Sequence, residues 1–277
     1  RTYEVDGKPW EPQNFKPVTA FTVTMRDALK MSYNLATVDL AMQTGLDRIV
    51  DTASRFNFST PIKPYPSLAL GAYEVIPLEL ARAYCVFAAG GVQPYPLALK
   101  GVVNEAGQIL EQRHMEIERL ISPDKAFIMN NLLQSVVSNG TARSLISRGI
   151  NWPVAGKTGT TNNFRDAWFV GYTPDILALV WVGFDNGDPI EATGSSAALP
   201  IWAQLMEAIP QHRSGNDFKV PAGVEKRTVC AVTGLLANED ACPQPFEEYF
   251  LSRHVPAEHC PLHAESGLGQ PFKVAPQ

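Results

Sequence analysis

The sequence has no cluster of basic residues, no long apolar run and, before Ser32, no serine at all. Each absence excludes something. Lysine and arginine are scattered and the formal net charge is -5. The electrostatic footprint of a nucleic-acid binder is missing, so no nucleic-acid partner is expected. The longest apolar runs are strand-length, well short of a membrane span, and this segment itself is expected to make no membrane contact. The chain opens at Arg1 with neither a signal segment nor a capping pattern, and reads as a piece of something longer. Cysteine is sparse, with 4 in 277 residues. Cys85 stands alone in an apolar helical pattern and reads as a small buried hydrophobe. Cys230, Cys242 and Cys260 crowd the end of the chain, which favours a local disulfide in an oxidising compartment. The expected pair is Cys242 with Cys260, with Cys230 as the competing partner. His259 and His263 flank Cys260, but the spacing matches no standard zinc pattern, so no metal and no cofactor are expected.

What is present is the balance of a globular protein, 45% hydrophobic and 18% charged, long enough for a full core. The most informative stretch runs from Val154 to Phe184. Three short runs of β-branched and aromatic residues are separated by two turn signals, the pattern of an antiparallel meander. The first run contains Gly156-Lys157-Thr158-Gly159-Thr160. Glycine weakens a strand interior and marks a place where another backbone or a ligand comes close. A lysine and two threonine hydroxyls beside that opening suit an extended anionic peptide bound by strand addition. A phosphate loop is excluded, because the glycine it needs five positions earlier is Asn151 and no helix follows directly. An edge strand whose lysine only discourages aggregation is the plainer alternative.

Around this stretch the pattern is mostly helical. Thr24 and Asp27 resemble a capping box opening a helix that stops near Ser32-Tyr33-Asn34. Further helices are expected from Leu35 to Gly45, Leu46 to Phe56 and Pro77 to Ala89. Leu97 to Val103 and Gln108 to Glu111 read as a hairpin. Ser122-Pro123 opens a helix to about Val137, and Pro200 to Ile209 reads as another. Residues 1–23 read as irregular, and from Phe218 onward periodicity is weak.

Ser32-Tyr33-Asn34 followed by Lys157-Thr158-Gly159-Thr160 is the order of two motifs shared by penicillin-binding proteins and serine β-lactamases. Neighbouring residues sharpen the match. Gly7-Lys8-Pro9-Trp10-Glu11-Pro12-Gln13-Asn14-Phe15, Gly71-Ala72-Tyr73-Glu74-Val75, Asn139-Gly140-Thr141-Ala142 and Asp166-Ala167-Trp168-Phe169-Val170-Gly171-Tyr172 are all similar to class A penicillin-binding proteins. The chain therefore resembles the transpeptidase domain of that family. The resemblance implies an α+β fold, an antiparallel sheet flanked by helices, with the N-terminal portion missing. Residues 1–217 would be the incomplete transpeptidase domain and 218–277 a small C-terminal extension.

The same resemblance implies a function. The substrates would be peptidoglycan stem peptides ending in D-Ala-D-Ala, cross-linked through a serine acyl-enzyme that β-lactams also form. Ser32 would relay protons to the leaving amine, Asn34 would hold the substrate amide, and Lys157 would keep the potential positive. Thr158 and Thr160 would bind the terminal carboxylate along the strand that includes Gly159, and the Thr160 N–H would be one oxyanion donor. The protein would sit in the periplasm, anchored to the inner membrane by an upstream segment and joined to a glycosyltransferase domain. The nucleophilic Ser-x-x-Lys motif belongs before Ser32, where no serine exists. Ser122-Pro123-Asp124-Lys125 matches literally, but in the wrong order, and reads as a helix cap. The chain alone is accordingly expected to be inactive. Two alternatives stay open: a non-catalytic peptide- or β-lactam-binding module, and a serine β-lactamase-like hydrolase.

Overall fold

The computed structural model describes residues 2–5, 7–18, 22–238 and 240–263. Residues 264–277, which the reading above placed in the C-terminal extension, lie outside the described residues. The chain divides into two compact units, Arg1–Val220 and Pro221–Gln277.

The first unit begins with a hairpin where irregular chain was expected. Strands β1 (Tyr3–Val5) and β2 (Lys8–Trp10) pair antiparallel, with Gly7 between them at φ 71°. A tight hairpin turn favours positive φ, which glycine adopts without steric cost. Helix α1 (Met25–Met31) starts as predicted, with the Thr24 hydroxyl accepting from the Asp27 N–H at 3.0 Å. It stops at Ser32, which is left-handed at φ 57° and ψ 46°. The Tyr33 N–H donates to Ala28 O at 2.9 Å and the Ser32 N–H to Leu29 O at 3.2 Å, the paired bonds of a Schellman stop.

Helices α2 (Asn34–Thr44), α3 (Leu46–Ser54) and α4 (Pro77–Ala88) follow. Strands β3 (Val92–Pro94), β4 (Gly101–Val103), β5 (Ile109–Gln112) and β6 (Ile117–Arg119) come next. The β4–β5 hairpin was expected; the β3–β6 pairing that brackets it was not. Helix α5 (Pro123–Asn139) and the short α6 (Ser144–Ser147) lead into the centre.

That centre is an antiparallel sheet of β7 (Ala155–Thr160), β8 (Asp166–Tyr172) and β9 (Leu177–Gly183), in that order. It is the meander the sequence predicts. Side chains alternate between its two faces. On one face Phe169 meets Trp202 of α7 (Leu199–Ala208) edge-on at 5.3 Å, and the Trp202 indole donates to Gly171 O at 3.0 Å. A Cβ on Gly171 would lie 2.7 Å from that indole, so only glycine admits it. On the other face the buried Tyr172 hydroxyl donates to Asn130 Oδ1 at 2.7 Å, and Asn130 donates to Phe87 O at 2.8 Å. One satisfied polar chain thus joins β8, α5 and α4. The fold is the expected α+β arrangement of an antiparallel sheet flanked by helices. Among the described residues no helix is long and apolar enough to cross a membrane.

The second unit holds two strands that its weak periodicity did not reveal. Strand β10 (Val224–Val229) pairs antiparallel with β11 (Phe246–Leu251), from Val224↔Leu251 to Val229↔Phe246. Cys230, Ala237, Cys242 and Cys260 are buried together. Cys242 and Cys260 are not bonded to each other in this structure, and Cys85 and Cys230 are likewise unbonded. The three sulfurs and the His263 ring nitrogen gather within 4.8 Å of one another.

Candidate active site

Three chain segments meet at one place. The first is the end of α1. Its Schellman stop turns the chain sharply and leaves the Ser32 side chain beside β7. The Lys157 ammonium donates to Ser32 Oγ at 2.9 Å and to Thr158 O at 2.8 Å. These residues are 125 positions apart in sequence, and the structure brings them into direct contact.

The second segment is β7, the edge strand of its sheet. The Thr161 N–H donates to Asp166 O just beyond it, which sets the parity of the ladder. Residues 155, 157 and 159 then direct their backbone groups at β8, and 156, 158 and 160 direct theirs at the open edge. The Thr158 carbonyl is therefore available to Lys157, and the Thr160 N–H points away from the sheet. Glycine is required at Gly156 and fits closely at Gly159. A Cβ on Gly156 would lie 2.7 Å from Val170 O, and one on Gly159 would press on the Trp168 side chain at 3.2 Å.

The third segment is the end of α5, whose part the sequence reading missed. Thr141 donates its N–H to Lys30 O at 3.0 Å, and its hydroxyl lies 2.7 Å from the Thr158 hydroxyl. Gly140 makes that approach feasible, because a Cβ there would sit 2.4 Å from Lys30 O. Arg26 of α1 adds further ties to α5. Its guanidinium donates to Asn131 Oδ1 at 2.6 Å and to Ser135 Oγ at 2.7 Å. The signal for Thr141 was present in Asn139-Gly140-Thr141-Ala142, but a threonine after a helix has no role until its neighbours are known.

The other expected residues are placed less directly. Asn34 opens α2 two residues beyond Ser32, and its amide donates to Gln13 O at 2.7 Å. The Thr160 hydroxyl accepts from the Gly194 N–H at 3.0 Å. Gly194 opens a π-helical turn (Gly194–Ala198), and a Cβ on it would collide with Gly159 O at 2.5 Å. Ser122 is the N-cap residue of α5, with Pro123 at the first helical position. Thr141 lies past the opposite end of that helix, which at ~1.5 Å per residue separates Ser122 from the site by roughly 25 Å. A cleft of 530 Å³ between α1, α2 and the N-terminal segment, lined by Tyr3, Val23, Tyr33 and Leu40, includes neither Ser32 nor Lys157.

The electrostatics favour chemistry at Lys157. Burial takes its ammonium out of water and pushes the pKa down to about 8 from 10.5. A half-buried cation with a depressed pKa, bonded to a serine hydroxyl beside an open strand edge, can bind an anion and pass a proton.

A family model described as the penicillin binding protein transpeptidase domain matches residues 2–207, and one for the penicillin-binding protein 1A C-terminal domain matches residues 220–265. Penicillin-binding protein 1A of Aquifex aeolicus is 39% identical over 219 residues, covering 78% of this chain and 30% of the relative. Penicillin-binding protein 1A of Neisseria lactamica is 34% identical over 257 residues, covering 87% of this chain and 32% of the relative. The chain thus spans about a third of the length of these relatives. Among solved structures, penicillin-binding protein 1A from Haemophilus influenzae superposes with a TM-score of 0.86 at 23% identity, over 94% of this chain and 44% of the other.

Proposed function

This chain belongs to the penicillin-binding protein transpeptidase family, and from that membership we propose that it forms part of the serine D,D-transpeptidase of a peptidoglycan synthase. The observation that carries the reading is the Lys157–Ser32 hydrogen bond at the open edge of β7. In this reading a stem peptide ending in D-Ala-D-Ala lies along β7. Its terminal carboxylate meets the Thr158 and Thr160 side of the strand, close to the Lys157 cation. Gly159 keeps the strand surface low. The Thr160 N–H, directed at the edge, stabilises the oxyanion as the acyl bond forms. Ser32 protonates the departing D-alanine amine and recovers its proton through Lys157. Asn34 holds the substrate amide, which requires its amide to exchange Gln13 O for the peptide. A second stem peptide supplies the amine that resolves the acyl-enzyme.

β-Lactams are proposed to occupy the same edge, with their carboxylate in place of the terminal one. Attachment to a glycosyltransferase domain and an inner-membrane anchor, with the catalytic unit in the periplasm, belongs to the same proposal. The acylated serine is expected from a Ser-x-x-Lys segment, which these 277 residues do not supply before Ser32. An oxyanion hole short of one donor loses about a hundredfold or more in rate, and a hydroxyl without its own base is a weak nucleophile.

The test is intact-mass analysis after excess penicillin. The 277-residue chain should gain no adduct. A longer chain with its Ser-x-x-Lys segment should gain one, and Lys157→Ala in that longer chain should slow acylation at least about a hundredfold. A stoichiometric adduct on Ser32 or Ser122 of the shorter chain would overturn the assignment.

A further inference from the structure

We propose that the C-terminal unit is built around a structural zinc site whose ligands are Cys230, Cys242, Cys260 and His263. The four ligand atoms all lie within 4.8 Å of one another. His263 Nδ1 is 3.2 Å from Cys260 Sγ and 3.4 Å from Cys230 Sγ. Zinc holds sulfur at about 2.3 Å and nitrogen at about 2.0 Å, so a tetrahedral centre sets neighbouring ligand atoms roughly 3.5–3.8 Å apart. The observed separations, 3.2 and 3.4 Å for two pairs and at most 4.8 Å for the others, bracket that range, so small side-chain shifts would set all four around one ion. Three cysteines and one histidine is a recurrent structural zinc set.

The surroundings fit the same ion. The three cysteines are buried, with Cys230 at 0% and Cys260 at 2% exposure. Backbone N–H groups are aimed at the sulfurs. The Asn238 N–H donates to Cys242 Sγ at 3.3 Å, and the backbone at Val232 and Thr233 lies against Cys230. Donors of this kind are what thiolate ligands need outside the metal's own bonds. The Asn238 side chain donates to Cys260 O at 3.0 Å and also to His263 O, fixing the turn that carries two of the ligands. His259 lies outside the cluster and instead bridges Leu236.

The spacing hid the site. Only Cys260 and His263 are close in sequence, as Cys-x-x-His. The Cys230 ligand is positioned by the end of β10, and Cys242 is supplied by the connection to β11. A sequence template written for local knuckles does not match such an arrangement. The expectation of no metal is revised for this reason.

The chemistry balances without an oxidant. Three S–H bonds give their protons to solvent as three Zn–S bonds form, and the neutral imidazole donates its lone pair. The centre then carries one net negative charge, which the N–H donors offset. A Cys242–Cys260 disulfide would instead consume two of the three thiols, need an oxidant, and leave Cys230 with only His263 beside it.

The test uses the full chain purified without chelator. Elemental analysis should find about one zinc per chain, and chelated protein reconstituted with zinc chloride should return to the same ratio. Cobalt chloride in place of zinc should give the intense visible absorption of a tetrahedral thiolate site. Cys242→Ser should lose the metal, whereas Cys85→Ser, remote from the cluster, and His263→Cys, which keeps four ligands, should retain it. Less than about a tenth of a zinc per chain after reconstitution would overturn the proposal. So would a Cys242–Cys260 disulfide in a non-reducing peptide map.

Discussion

At Lys157 the protein holds a cation in a place that penalises charge, and this has a measurable sign. Its pKa is about 8 when folded against 10.5 for an unperturbed lysine. Between those values the unfolded chain binds more protons than the folded one, so this residue makes stability rise with pH across that window. Urea unfolding of the wild type and of Lys157→Met at pH 7.5 and 9.5 checks it. The wild type should gain more stability over this interval than the variant; equal gains would refute a half-buried lysine with a lowered pKa. Ser32 and Lys157 were legible in the sequence because both sit in motifs with fixed order. Thr141 and Gly194 were not, since each acts through a backbone or hydroxyl contact made by a distant segment.

Among the elements, the long periodic ones were readable and the short ones were not. The seven-residue α1 was found through its cap, and the meander through three apolar runs divided by turns. The three-residue strands β3 and β6 carry no period of their own; they exist because the hairpin between them brings their backbones together. Strands β10 and β11 alternate poorly because β10 has four polar residues in a row, Glu225 to Thr228, and β11 closes on three consecutive aromatic or apolar ones, Tyr249 to Leu251. The contact of α1 with α5 is the element-scale feature on which the site depends. It passes through Gly140, where an added Cβ would meet Lys30 O at 2.4 Å and Val136 O at 2.8 Å. Both are backbone atoms and cannot swing aside. Gly140→Ala should therefore cost about 2 kcal/mol or more in stability and lower acylation of a longer, nucleophile-bearing chain. Thermal unfolding and an acylation time course would measure both, and an unchanged midpoint would show that the two helices can part without consequence.

At the scale of the whole molecule, the two compact units predict where the chain is vulnerable. Composition shifts at Phe218, and compactness divides the chain after Val220. Lys219 lies between those points and is exposed, in chain without regular structure. Limited trypsin digestion should cut there first and release two fragments that resist further cleavage. Early cuts inside α5 or the central sheet would show that the division is not real. A different consequence follows from the left-handed Ser32. Glycine is the residue its backbone prefers, and replacing serine there would relieve roughly 1 kcal/mol of strain. The same replacement deletes the hydroxyl that Lys157 reaches. On the proposed proton-relay role, a sturdier fold and proton transfer make opposite demands on this position.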